Sequence, residues 1–220
     1  MTTTLSGPML PPKSGGDPKQ LMVLLHGYGS DGKDLISLGI QWRETWPDMM
    51  FVSPNAPAPS AMNPSGYQWF AISQDRSVSR VEGTAAARPV IVNFLMDLWA
   101  QTGVTPANTV LVGFSQGSMM ALHVGTSLDQ QLAGIVSFSG AFIPPAEFGT
   151  GRFPRPPVAL IHGDMDGVLE TELSRDAARQ LEAAGFEVSL HISPGVGHGI
   201  APDGLEFATA FLRERLGPGA

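Results

Sequence analysis

The sequence predicts an α/β chain built on a mostly parallel central sheet with helices on both faces. Two observations carry this. Short apolar runs alternate with longer segments of helical period from Gln20 onward. The runs are apolar throughout rather than every second residue, the pattern of strands buried on both faces. Strands alternating with helices in this way give parallel pairing through right-handed crossovers.

Each element follows from its residues. Gln20–His26 (QLMVLLH) is a continuous apolar run closed by Gly27 and reads as a buried strand. Asp34 to Trp46 reads as a helix stopped by Pro47, and Met49–Pro54 as a second strand. Four prolines and little periodicity make Pro54 to Ser79 a long loop. Val81 to Gln101 carries Val90, Val92, Phe94, Leu95, Leu98 and Trp99 on a helical pattern, ended by Gly103. There follow a strand (Thr109–Gly113), a helix (Ser115–Ser127), a strand (Leu132–Ser139) and a Pro-rich loop (Gly140–Pro157). The chain closes with a strand (Val158–His162), a helix (Thr171–Ala184), a strand (Glu187–Ile192) and a helix (Leu205–Leu216). In the Thr171 helix, Leu173, Ala177, Leu181 and Ala184 recur at helical spacing.

At 220 residues, one domain is expected over 19–220, preceded by a flexible Pro/Gly-rich arm over 1–18. Thirteen basic residues against twenty acidic ones leave a net charge of −7, which argues against a nucleic-acid surface and gives no support for docking on anionic lipid. Cysteine is absent, which removes disulfides, cysteine metal sites and a thiol nucleophile. No apolar run approaches the ~20 residues of a membrane span, and the N-terminus lacks the basic and apolar regions of a signal peptide. A cytoplasmic protein without an integral membrane segment is expected.

In a parallel sheet, ligands bind beyond the carboxyl ends of the strands. Three turns at those ends carry reactive side chains. Gly113-Phe114-Ser115-Gln116-Gly117 is a G-x-S-x-G turn between a strand and a helix. It projects a serine hydroxyl upward, with free helix N–H groups beneath a developing oxyanion. The bland alternative is a serine that caps the helix. His162-Gly163-Asp164-Met165-Asp166 offers two carboxylates to orient a histidine. Asp166 lies further along the loop, where it turns back over the serine; it is favoured, with Asp164 as a turn-stabilising residue. Gly195-Val196-Gly197-His198-Gly199 supplies a histidine on a flexible turn, suited to general acid–base work. His191, within a strand, and His123, two turns into a helix, are rivals better read as structural. The order Ser115, Asp166, His198 is that of α/β-hydrolases. A fourth turn, Leu25-His26-Gly27-Tyr28-Gly29, stands where such folds place the second oxyanion donor. The backbone amides of Tyr28 and Gln116 are the expected pair, with His26 buttressing the loop.

Together, LHGYGSDG, PNAP, GFSQGSMMAL, HGDMDGV and GVGHGI resemble the phospholipase/carboxylesterase family, in its bacterial carboxylesterase branch related to the acyl-protein thioesterases. The likeness runs from about Leu21 to Leu216. It implies an α/β-hydrolase fold without a large cap domain, a Ser115–Asp166–His198 triad, and hydrolysis of esters or thioesters without metal or other cofactor. The Trp69-Phe70 pair matches the family's Trp-aromatic pattern flanking the acyl site, so both are candidate substrate-binding residues. One departure is that Gly167 and Leu169-Glu170 stand where the family usually has prolines.

Two classes of function follow. The first is a serine carboxylesterase acting on a small-molecule ester of short to medium acyl chain, or on a thioester or lysophospholipid. The second is a catalytically silent binder on the same fold, which generally lacks a triad member; all three are present here. A peptidase needs a gating domain for which the length leaves no room, and the five histidines show no metal-ligand spacing. Oligomeric state is open.

Overall fold

The computed structural model of the chain describes residues 5–217. The chain runs through β1 (Met9–Leu10), β2 (Gln20–Leu25), α1 (Gly32–Trp42), β3 (Met49–Val52), β4 (Ala58–Pro59), β5 (Tyr67–Gln68) and α2 (Arg76–Thr102). It continues through β6 (Thr109–Phe114), α3 (Gln116–Gly125), β7 (Gly134–Phe138), β8 (Val158–Gly163), α4 (Glu172–Ala183), β9 (Val188–Ser193) and α5 (Pro202–Leu216). Seven strands form one sheet in the order β1-β3-β2-β6-β7-β8-β9. All neighbours pair in parallel except β1, which is antiparallel to β3.

The apolar strands serve two cores. Leu21, Val23 and Leu25 of β2 pack with Ile91 and Leu95 of α2, Met120 of α3 and Leu181 of α4. Met22 and Leu24 pack on the other face with Leu35 and Trp42 of α1 and Phe211 of α5. Each such side chain stabilises the fold by about 1.5–3 kcal/mol. Among the described residues no helix is long and apolar enough to cross a membrane.

Three boundaries differ from the sequence expectation by three residues or more. Helix α1 ends at Trp42, short of Trp46, and the turns that follow bury the Trp46 indole, which donates to the Gly217 carbonyl at 3.2 Å. Helix α2 begins at Arg76 rather than Val81, because the Asp75 carboxylate accepts the Ser77 and Val78 amides at 3.0 and 3.2 Å. Its first turn is exposed and shows no apolar period. Helix α5 opens at Pro202, whose missing N–H is harmless in a first turn.

Of the arm expected over 1–18, residues 1–4 lie outside the described residues, and 5–10 run along the sheet edge. Leu5 is buried, Ser6 and Pro8 carbonyls accept the Asn55 and Ser53 amides, and Met9 and Leu10 pair with Val52 and Phe51. An edge strand needs hydrogen bonds on one side only, so it tolerates the prolines that made the arm read as loose.

Candidate active site

The carboxyl ends of β2, β6, β8 and β9 share one edge of the sheet, and the four turns singled out in the sequence leave from it. Ser115 joins β6 to α3 with φ 54° and ψ −116°, a positive-φ conformation unusual for a residue with a Cβ. Its amide donates to the Phe138 carbonyl at 2.9 Å. The flanking glycines are steric necessities. A Cβ on Gly113 would fall 2.3 Å from the Gly117 carbonyl oxygen, and one on Gly117 would fall 1.9 Å from that of Leu25. Backbone packs on backbone here, which fixes the elbow and turns the hydroxyl outward.

His198 Nε2 lies 3.0 Å from Ser115 Oγ, and His198 Nδ1 lies 2.7 Å from Asp166 Oδ2. The second Asp166 oxygen accepts the Val168 and Leu169 amides at 2.8 and 2.9 Å. Burial pushes the Asp166 carboxyl up, but the Leu169 amide, the His198 ring and the Val168 amide outweigh it and hold its pKa below the ordinary value. A carboxylate so held keeps a proton on His198 Nδ1 and leaves Nε2 free to accept one from a serine hydroxyl.

Asp164 instead accepts the Gly195 amide at 2.6 Å, and the Met165 amide donates to Val196 at 2.9 Å. These bonds pin the aspartate loop to the histidine loop. His123 and His191 lie elsewhere, the first on the Ile143 carbonyl and the second on Asp203.

The loop after β2 is held from three sides. A hairpin, β4–β5, folds over it, with the Gly29 amide donating to Tyr67 and the Tyr67 amide to Ser30. His26 Nδ1 donates to the Gly27 carbonyl at 2.7 Å and its Nε2 accepts the Ala56 amide at 3.0 Å. The Gln116 side chain reaches across, accepting from Trp69 N and donating to Phe70 O. Among the described residues the backbone amides of Tyr28 and Gln116 donate to no protein acceptor, and both residues line the cleft with Ser115. That cleft has a volume of about 500 Å³, with Phe70, Met119 and Leu169 on its walls.

The model of the phospholipase/carboxylesterase family matches residues 13–216. The chain belongs to that family. It is 30% identical over 198 residues to the esterase YpfH of Escherichia coli (strain K12), covering 89% of this chain and 82% of that protein. It is 29% identical over 214 residues to acyl-protein thioesterase 1 of Gibberella zeae, covering 90% and 91%. The crystal structure of esterase PE8 superposes with a TM-score of 0.93 at 53% identity, over 97% of this chain and 100% of that one. The α/β-hydrolase fold is common to these family members.

The aromatic pair divides. Phe70 lines the cleft, its ring seated against Gly83 of α2, where a Cβ would come within 2.5 Å of it. Trp69 does not line the cleft. Its indole is buried and donates to the His26 carbonyl at 2.9 Å, which turns it toward the loop after β2. Trp69 therefore supports the Tyr28 loop.

Sequence reasoning passed over His162. It is fully buried, with Nδ1 2.7 Å from Ser174 Oγ and Nε2 3.0 Å from the Leu169 carbonyl and 3.1 Å from Asp166 Oδ2. Nε2 faces only acceptors, so it carries a hydrogen, and Nδ1 accepts from the Ser174 hydroxyl. Asp166 thus stands between two imidazoles. The signal was present in the sequence, since His162 and Asp166 leave the same strand end.

Burial lowers the pKa of both His26 and His123 from 6.5. Below that value the unfolded chain binds more protons, so stability is full above about pH 6.5 and is lost as pH falls toward the folded-state values. Each ring contributes at most about 1.4 kcal/mol per pH unit. Urea denaturation between pH 8 and 5 is expected to give a shallower slope for His123→Asn, which keeps the donor to Ile143 without the titration. Equal slopes would remove His123 from the account.

Proposed function

We propose that the chain is a serine carboxylesterase that hydrolyses small-molecule carboxylic esters of short to medium acyl chain through an acyl-enzyme. The observation that carries this is the unbroken chain Ser115–His198–Asp166, with contacts of 3.0 and 2.7 Å. Ser115 Oγ attacks the ester carbonyl while His198 Nε2 takes its proton, and the oxyanion is received by the amides of Tyr28 and Gln116. His198 then gives that proton to the departing alcohol. Water, deprotonated by the same nitrogen, releases the acid and restores the serine. Asp166 stays ionised throughout and holds the imidazole.

A second cleft of about 530 Å³, lined by Phe114, His198 and Ile200, also reaches the histidine. The apolar walls of the cleft containing Ser115 suit the acyl chain, which leaves the second cleft, also beside His198, for the alcohol whose oxygen that ring protonates. Thioesters fit the same steps, and the thioesterase relative named above favours testing them. The decisive experiment is fluorophosphonate labelling together with a p-nitrophenyl and S-acyl ester series. Absence of both labelling and turnover would overturn the esterase in favour of a binding protein.

Phe70 and Trp69 separate wall from support. Phe70→Ala removes contact with a chain long enough to reach it. A loss of about two methylenes' worth of burial is about 1.6 kcal/mol, so kcat/KM for hexanoyl esters should fall roughly ten-fold further than for acetyl esters. Trp69→Ala loosens the loop that carries Tyr28, so both chain lengths should lose equally. A chain-length dependence in Trp69→Ala would return the indole to the acyl site.

A further inference from the structure

Arg76 and Arg80 stand one turn apart on the first part of α2, and both line the cleft that holds Ser115 and His198. Residues at this spacing share a helix face, where like charges repel. Among the described residues neither guanidinium forms a salt bridge or side-chain hydrogen bond, whereas Arg152, Arg175, Arg179 and Arg215 each reach a carboxylate. No aspartate or glutamate lines the cleft; beside the arginines its walls are mainly apolar, with Phe70, Ile72 and Met119 nearby. In a chain of net charge −7, two of thirteen basic residues thus face the serine's cleft with no paired carboxylate among the described residues.

Arg80 is half-buried and Arg76 exposed at the mouth. Burial first, and the Arg76 charge second, hold the Arg80 guanidinium below its ordinary pKa. An anion arriving between them relieves the mutual repulsion and supplies the missing hydrogen-bond acceptors. A neutral acyl chain would leave both in place.

We infer that the cleft is shaped for esters whose acyl chain ends in an anionic group, a carboxylate in its simplest form, bound by Arg80 with Arg76 at the rim. This rests on reading the cleft as the acyl site of the esterase. The chemistry is unchanged: the acyl–oxygen bond breaks, water supplies the new oxygen, and the products are a dicarboxylate and an alcohol.

The test compares mono-p-nitrophenyl adipate with p-nitrophenyl hexanoate, which match in acyl carbons and differ in the terminal charge. The readout is the adipate-to-hexanoate ratio of kcat/KM, taken within each protein so that losses of folded enzyme cancel. In Arg80→Gln the ratio should fall about ten-fold, the scale of one charge-assisted hydrogen bond, with part retained in Arg80→Lys and a smaller fall in Arg76→Gln. In the unaltered chain the ratio should also fall as salt is raised to about 0.5 M, since one arginine is exposed. A ratio indifferent both to Arg80→Gln and to salt overturns the inference; should that variant fail to fold, the salt series alone decides. Failure of the esterase reading would look different, as hexanoate turnover that survives in Ser115→Ala.

Discussion

Ser115→Ala is expected to lower ester turnover by about 10⁶, the scale of loss when a triad nucleophile is removed. Stability should change by no more than about 1 kcal/mol, because the mutation deletes one hydrogen bond, to His198 at 3.0 Å, and leaves the backbone in place. The elbow is built by Gly113 and Gly117, whose replacement would drive a Cβ into a carbonyl oxygen, and not by the serine hydroxyl. Activity and folding are thus separable at this position. The measurement pairs p-nitrophenyl ester kinetics and fluorophosphonate labelling with a melting curve. Labelling of the alanine protein at the unaltered rate would move the nucleophile elsewhere.

What the sequence made legible follows from how strongly each feature is constrained locally. The strands of β2, β6 and β8 are read easily because both faces are covered, so nearly every residue in them is apolar. The G-x-S-x-G elbow is legible because steric contact between backbones admits only glycine on either side. Asp166 and His198 could be ranked by their places at strand ends. Features set by tertiary contact were not legible. The edge strand at Met9–Leu10 is two residues long and surrounded by prolines, and only its pairing with β3 orders it. Trp69 and Phe70 are neighbours in sequence just beyond the β4–β5 hairpin, and which of them faces the cleft depends on contacts with the His26 carbonyl and with Gly83 of α2. The His162 contact to Asp166 and the unpaired charge of Arg80 are properties of surroundings drawn from several elements. Arg80 in particular carried no sequence signal, since the start of α2 has no apolar period to show which face is turned inward.

Asp166→Asn should cost about 10⁴ in kcat, and Asp164→Asn less than about ten-fold. The asymmetry follows from the hydrogen bonds each carboxylate makes. One Asp166 oxygen accepts two backbone amides, from Val168 and Leu169, and only the oxygen of an asparagine amide can replace it there. The NH₂ group must then face His198 Nδ1, where Oδ2 had accepted a hydrogen at 2.7 Å. A donor in that place holds the imidazole in the opposite tautomer, with its hydrogen on Nε2 and pointed at Ser115. The ring then has no lone pair for the serine proton. The same NH₂ also meets the Nε2 hydrogen of His162, so two donors oppose one another in a buried site, and a fall in melting temperature should accompany the loss of rate. Among the described residues the Asp164 carboxylate accepts the Gly195 amide alone, which an asparagine oxygen serves equally well, so the histidine loop keeps its place. Kinetics of the two variants side by side, with melting curves, test the assignment. Greater damage from Asp164→Asn would transfer the orienting role to that residue.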